Sequence, residues 1–150
     1  MKNILNLYLE NNNINNYYFL SKQNMNNKTL TPRIPNNYFT KNGYEDNKTP
    51  RVCLSKTIDG ALMGLSMSLK NQKLYVHIPL NNIRIIQPTI KQVPDCQITQ
   101  EVWATDNVLL KCIGIILVTN DKGLDGHVFK YGNNKAELYD WDWKWIERMR

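Results

Sequence analysis

Several positions in this sequence pair a charged or hydroxyl side chain with neighbours able to orient it. Glu101 precedes Trp103 by two residues in the run Gln100, Glu101, Val102, Trp103, Ala104. On a strand that spacing puts Glu101 and Trp103 on one face and Val102 on the other. A carboxylate beside an aromatic ring can orient a ribose hydroxyl or stabilise a cationic transition state; a solvated glutamate on an edge strand is the plainer alternative. Arg33 sits in a loop with Pro32 before it and Pro35 shortly after it. Prolines fix their own φ, so the loop would present the guanidinium rigidly, as recognition of a phosphate or carboxylate requires. Otherwise the prolines only order a crossover and Arg33 pairs with a surface acid. Arg51 enters a strand-like run that Ser55 leaves at a helix start, where backbone N–H groups favour an anion unless Ser55 is simply a cap.

Motifs with stronger signatures are absent: no phosphate-binding P-loop, GxGxxG, HExxH or GxSxG, and no cluster of Cys and His with metal-ligand spacing. The two histidines, His77 and His127, lie far apart. His77 falls in an alternating strand and His127 after a glycine-rich turn, and both read as ordinary surface or core residues. Cys53, Cys96 and Cys112 form no CxxC pair and read as reduced, mostly buried thiols of a cytoplasmic protein. No metal is expected.

The net charge of +6 and pI near 9.2 suggest an anionic partner, but the lysines are scattered singly among asparagines. Direct binding to nucleic acid is therefore not favoured. No apolar run approaches the roughly 20 residues of a membrane-spanning helix, and the first ten residues are too polar for a secretory signal. No membrane association is expected.

These side chains need elements to hold them. At 150 residues with 42% hydrophobic content, one domain over 17–150 is expected, behind an N-terminal extension at 1–16 that has some helical character before an asparagine-rich linker. Residues 17–20 are aromatic and strand-like. Residues 21–50 read as a long loop, of a kind that is usually functional when ordered. A short strand at 51–54 leads to a helix at 55–65, capped by Ser55 or Thr57, with Ile58, Leu62 and Leu65 at helical spacing. Strands follow at 73–78, 82–86 and 100–104, the last after a loop at 89–99. A further strand runs from 108 to 118 and ends in a turn-like stretch at 119–123. Trp141, Trp143 and Trp145 share one face of a final strand, with Asp140, Asp142 and Lys144 opposite; they serve packing or base stacking. The order describes an α+β fold of mostly antiparallel sheet.

The run Tyr17, Tyr18, Phe19, Leu20, Ser21 resembles the first motif of ADP-ribosyltransferase-like domains. The segment 51–62 resembles their middle strand-to-helix motif, and Gln100, Glu101, Val102 and Trp103 are similar to their late acidic motif. The resemblance covers roughly residues 17–118 and implies a split β-sandwich with NAD as substrate. It also implies Ser21 as the hydroxyl of the first motif and Glu101 as the acid that polarises the ribose. Arg33 and Arg51 would hold the diphosphate, Ser55 and Trp103 would shape the pocket, and aromatic residues near Tyr17 would stack on nicotinamide. Where the family has His or Arg, this chain has Phe19, which cannot hydrogen-bond a ribose. Either Tyr17 or Tyr18 substitutes, the pocket is remodelled, or the fold serves as a non-catalytic binder. Small proteins of this fold include phage-encoded inhibitors of bacterial defence, some anti-CRISPR proteins among them. The resemblance thus implies a host protein target in the host cytoplasm, reached by ADP-ribose transfer or by binding a host protein or sequestering a nucleotide.

Overall fold

Alternating apolar residues build two antiparallel sheets that share a small amount of helix. A computed structural model describes residues 16–65, 69–131 and 134–149; the N-terminal stretch expected to have helical character and most of the asparagine-rich run lie outside them. In chain order the elements are β1 (Phe19–Ser21), β2 (Thr29–Leu30), α1 (Tyr38–Lys41), β3 (Val52–Ser55), α2 (Ile58–Gly64), β4 (Lys73–Pro79), β5 (Ile85–Ile86), α3 (Cys96–Thr99), β6 (Glu101–Ala104), β7 (Val108–Tyr131) and β8 (Asn134–Arg148). The larger sheet runs β1-β4-β7-β2 with β8 also on β7, and the smaller runs β3-β6-β5. Every ladder between these strands is antiparallel. The chain is α+β with mostly antiparallel sheet, as its pattern predicts.

The helix at 58–64 forms where its spacing predicts, and Thr57 is the cap, its hydroxyl accepting from the Gly60 N–H at 2.9 Å. Ile58 and Leu62 pack under the larger sheet against Leu20, Leu74, Val76, Ile116, Val118 and Trp141. A second apolar cluster joins Val52, Leu54, Val102 and Ala104 of the smaller sheet to Val108 and Leu110 at the start of β7. A single backbone bridge between Tyr18 and Ser55, with hydrogen bonds of 2.7 and 3.1 Å, ties β1 to the end of β3.

Three expectations need correction. The loop at 21–50 carries β2 and the short helix α1, which Asn37 and Thr40 close with a reciprocal capping box. The loop at 89–99 ends in α3. The stretch 119–123 is no turn: β7 continues through it and through His127 to Tyr131, which pairs with Asn134 of β8. Register shifts at Val118/Asn120, Asp121/Gly123 and Leu124/Val128 take up the Asp and Gly residues as bulges, so turn-forming residues sit inside a paired strand.

At the tail, Trp141 is buried, while Trp143 and Trp145 pack against the same core. The two latter rings meet edge to face at 5.8 Å, and the Trp143 indole donates to Asp59 on α2 at 2.7 Å. Asp142 and Lys144 face outward. The tryptophan stripe is packing.

Candidate functional site

Alternation along β3 and β6 sorts their side chains onto two faces. Val52, Leu54, Val102 and Ala104 enter the second apolar cluster. Cys53 and Ser55 stand on the opposite face, in register with Trp103 and Glu101 respectively. Arg51, two residues before Cys53, continues that row and places its guanidinium 4.1 Å from the centre of the Trp103 ring. The sequence expectation that Glu101 and Trp103 face together is met, and the Trp103 indole N–H donates to Glu101 Oε2 at 3.0 Å.

Glu101 and Ser55 open into a cleft of about 220 Å³ between β1 and α2. Tyr18, Phe19 and Leu20 form one wall, Ala61 and Leu65 another, and Thr99 closes the end near Glu101. Backbone geometry at that end is tightly set. Gln100 caps α3 in the left-handed conformation, φ 56°, which turns the chain from helix into strand just before Glu101 and costs an L-residue about 1 kcal/mol. Ser55 Oγ donates to the Thr99 carbonyl at 2.7 Å and accepts from the Thr57 N–H at 3.2 Å. A Cβ on Gly60 would collide with the Thr99 carbonyl and the Ser55 hydroxyl, so only glycine lets α2 approach α3 this closely.

The electrostatics of the cleft end are unusual. Burial pushes the Glu101 carboxyl above its ordinary range; the Trp103 hydrogen bond and Arg51 pull it down, and Asp95 pushes it further up. Burial, with Glu101 and Asp95 nearby, raises Glu45 to about 7. Burial raises Asp95 as well, and pushes the Cys53 thiol up to about 12, which leaves it protonated and unreactive. All three cysteines are free. Among the described residues no group of three or more His, Cys, Asp or Glu side chains is placed to hold a metal ion, and no helix is long and apolar enough to cross a membrane.

The structure separates the sequence candidates into groups. Glu101 and Ser55 line the cleft. Arg51 and Trp103 are buried behind it, 2% and 0% exposed, so Arg51 is not placed to hold a diphosphate and Trp103 supports Glu101 instead of touching a ligand. Arg33 is exposed, and its backbone pairs with that of Arg51 through hydrogen bonds of 3.0 and 2.9 Å. The bridge holds the loop backbone between Pro32 and Pro35 against the start of β3 and leaves the Arg33 side chain outside the cleft lining. Ser21 ends β1 opposite Tyr75 and accepts from the Gln23 N–H at 3.1 Å, a turn role. Tyr17 packs against the second apolar cluster, and Tyr18 is the tyrosine at the cleft.

Sequence reasoning missed the groups around Arg51. Its Nη1 donates to the Asp46 carbonyl at 2.9 Å and the Thr49 carbonyl at 3.0 Å, and pairs with Asp46 Oδ1 at 3.3 Å. Burial pushes Asp46 up, but the N–H groups of Thr49 and Lys48, the Thr49 hydroxyl and Arg51 outweigh it and hold the carboxyl below its ordinary value. An Asx-turn signal was present, an aspartate followed by polar residues and Pro50; that the turn folds over Arg51 was not. His77 is fully buried and serves the core: Nε2 accepts from the Met25 N–H at 2.9 Å, which leaves Nδ1 to donate to the Phe19 carbonyl at 3.1 Å. Comparison of the chain with protein-family models, with curated proteins and with solved structures found no match.

Proposed function

We propose that this cleft is an ADP-ribosyl transfer site, that NAD is its substrate, and that the acceptor is a host macromolecule, in keeping with a phage-encoded anti-defence role. One observation carries the reading. Glu101, at the start of a late strand, lines the same cleft as the aromatic strand β1 and the strand-to-helix segment at Ser55, the three pieces whose order resembles the ADP-ribosyltransferase-like family. In the proposed step the bond between nicotinamide and ribose C1′ breaks and nicotinamide leaves with the bonding electrons. An acceptor nucleophile then bonds to C1′ and gives up its proton. The Glu101 carboxylate stabilises the cationic ribose between these events. Tyr18 supplies the aromatic wall for the departing ring, and Arg51 takes no part in holding the diphosphate.

NAD consumption by the purified protein, compared with Glu101→Gln, tests this. The wild type should turn over NAD, and the variant should lose at least about 100-fold in kcat while keeping its Tm. Because burial raises the Glu101 carboxyl and the step uses its ionised form, turnover should climb as pH rises through that titration. Full activity in Glu101→Gln sinks the mechanism.

A second reading follows from Phe19. Its ring stands against His77 at 6.0 Å between centroids, and it offers no hydrogen bond where the family has His or Arg. This favours a non-enzymatic inhibitor that binds a host protein or sequesters a nucleotide. That reading expects a stable complex on gel filtration without NAD turnover; turnover in the absence of any partner counts against it.

A further inference from the structure

The Arg51 side chain, expected at first on a ligand phosphate, is sealed beneath the site, and its surroundings assign it another task. Carbonyl and carboxylate oxygens of the 46–49 turn grip Nη1. Its Nε is buried without a hydrogen-bond partner. An apolar side chain of similar size would bury no charge but would leave the Asp46 and Thr49 carbonyls without this donor, so the arginine also braces the turn. What the arginine adds is a cation over the face of Trp103, 4.1 Å from the ring centre. A cation there withdraws electron density from the indole and strengthens its N–H as a donor. That N–H has one partner, Glu101 Oε2.

We propose that Arg51, acting through the indole of Trp103, is a positioning residue that fixes the orientation and charge of Glu101 in the cleft. This rests on Glu101 being the functional carboxyl of the site. The groups acting on Glu101 come from every side of it. Asp95, just before α3, is a like charge that opposes its ionisation, and Glu101 in turn raises Glu45, in the loop after α1. The Cys53 and Cys96 thiols, both raised, stay neutral. Arg51 is the cation that favours the ionised form. The Asp46 carboxylate, paired with Arg51, sets how much of that charge reaches the indole. The relay therefore runs from the 46–49 turn to Arg51, to Trp103, to Glu101, and it predicts effects of opposite sign from its two ends.

The experiment is a pH titration of the Trp103 indole N–H resonance in protein with ¹⁵N-labelled tryptophan, followed by kinetics with NAD. In the wild type the resonance should move through one main transition that Glu101→Gln abolishes. Arg51→Met should raise the midpoint by about one pH unit, and Asp46→Asn, which frees more of the Arg51 charge, should lower it. If Arg51→Met fails to fold, Asp46→Asn decides by itself. An indole resonance that ignores pH in the wild type overturns the proposal, as does a midpoint that neither folded variant moves. With NAD turnover present, Asp46→Asn should shift the pH–rate profile in parallel with the indole midpoint, and a profile that stays put also overturns it. If the indole shifts appear while NAD is not consumed, the relay stands and the ADP-ribosyl transfer reading alone is lost.

Discussion

The larger and smaller sheets bury apolar rows of the same kind, yet they differ in what lies beyond those rows. Under the larger sheet, α2 meets Leu20, Leu74, Val76, Ile116 and Val118, a contact any well-packed set of apolar side chains would serve. The smaller sheet has such a face too, formed by Val52, Leu54, Val102 and Ala104. Its other face carries Arg51, Cys53, Ser55, Glu101 and Trp103. Buried polar groups cost stability unless each finds a partner, and most of these do: indole to carboxylate, guanidinium Nη1 to the 46–49 turn, hydroxyl to the Thr99 carbonyl, with Arg51 Nε left over. The first arrangement holds the fold. The second gives up some stability to aim one carboxyl into a cleft, which is how functional sites commonly arise.

Removing one tryptophan from each region tests that contrast most severely. Trp141→Ala should cost about 3–5 kcal/mol through the lost packing under the larger sheet. Trp103→Ala should exceed it, because Arg51 loses its ring and Glu101 its donor in addition to the cavity. Urea denaturation of both variants checks the order, and equal losses would mean that the polar face is held by packing alone.

Glu45 gives the next largest expected effect. Its folded-state pKa of about 7 lies above the unfolded value of 4.5, so its ionised form destabilises the fold. That cost is absent below about pH 4.5 and complete above about pH 7. Glu45→Gln should therefore be more stable than wild type by about 1–3 kcal/mol at pH 8, with the gap closing towards pH 4.5. Thermal unfolding across this range reads it, and a gap independent of pH would place Glu45 in ordinary solvent.

The smallest effect belongs to His77 of the larger sheet, and its sign is opposite. Burial lowers its pKa while hydrogen bonds to the Phe19 and Tyr75 backbone partly compensate. Protonation would turn Nε2 towards the Met25 N–H as a second donor, so stability should fall as pH drops below about 6.5. Measured in a Glu45→Gln background, the Tm loss between pH 7 and pH 5 should shrink when His77 is replaced by Gln. An unchanged loss would leave the His77 latch without a role in acid stability.

Local pattern carried much of the framework. Period-two alternation marked β4 and β6, short apolar runs marked β3 and the β7 core, helical spacing after Ser55 or Thr57 marked α2, and the pairing of Glu101 with Trp103 on one face followed from spacing alone. The pattern failed at 119–131, where Asp and Gly residues that usually end strands are carried as bulges because β8 pairs alongside them. It failed again at Arg51. A guanidinium two residues before a strand interior looks ready for a phosphate until the 46–49 turn folds over it.

The sequence by itself determined the elements, their mostly antiparallel class and the two-faced character of the short strands, because these depend on residues a few positions apart. Only the tertiary structure decided which groups are spent and which are available. Asp46, Arg51, Trp103 and Glu101 span more than fifty residues of chain, and no local rule states that they meet. Whether an arginine holds a ligand or a carboxyl changes its pKa depends on burial and on distances of 3–4 Å, quantities that exist only once the chain has closed on itself.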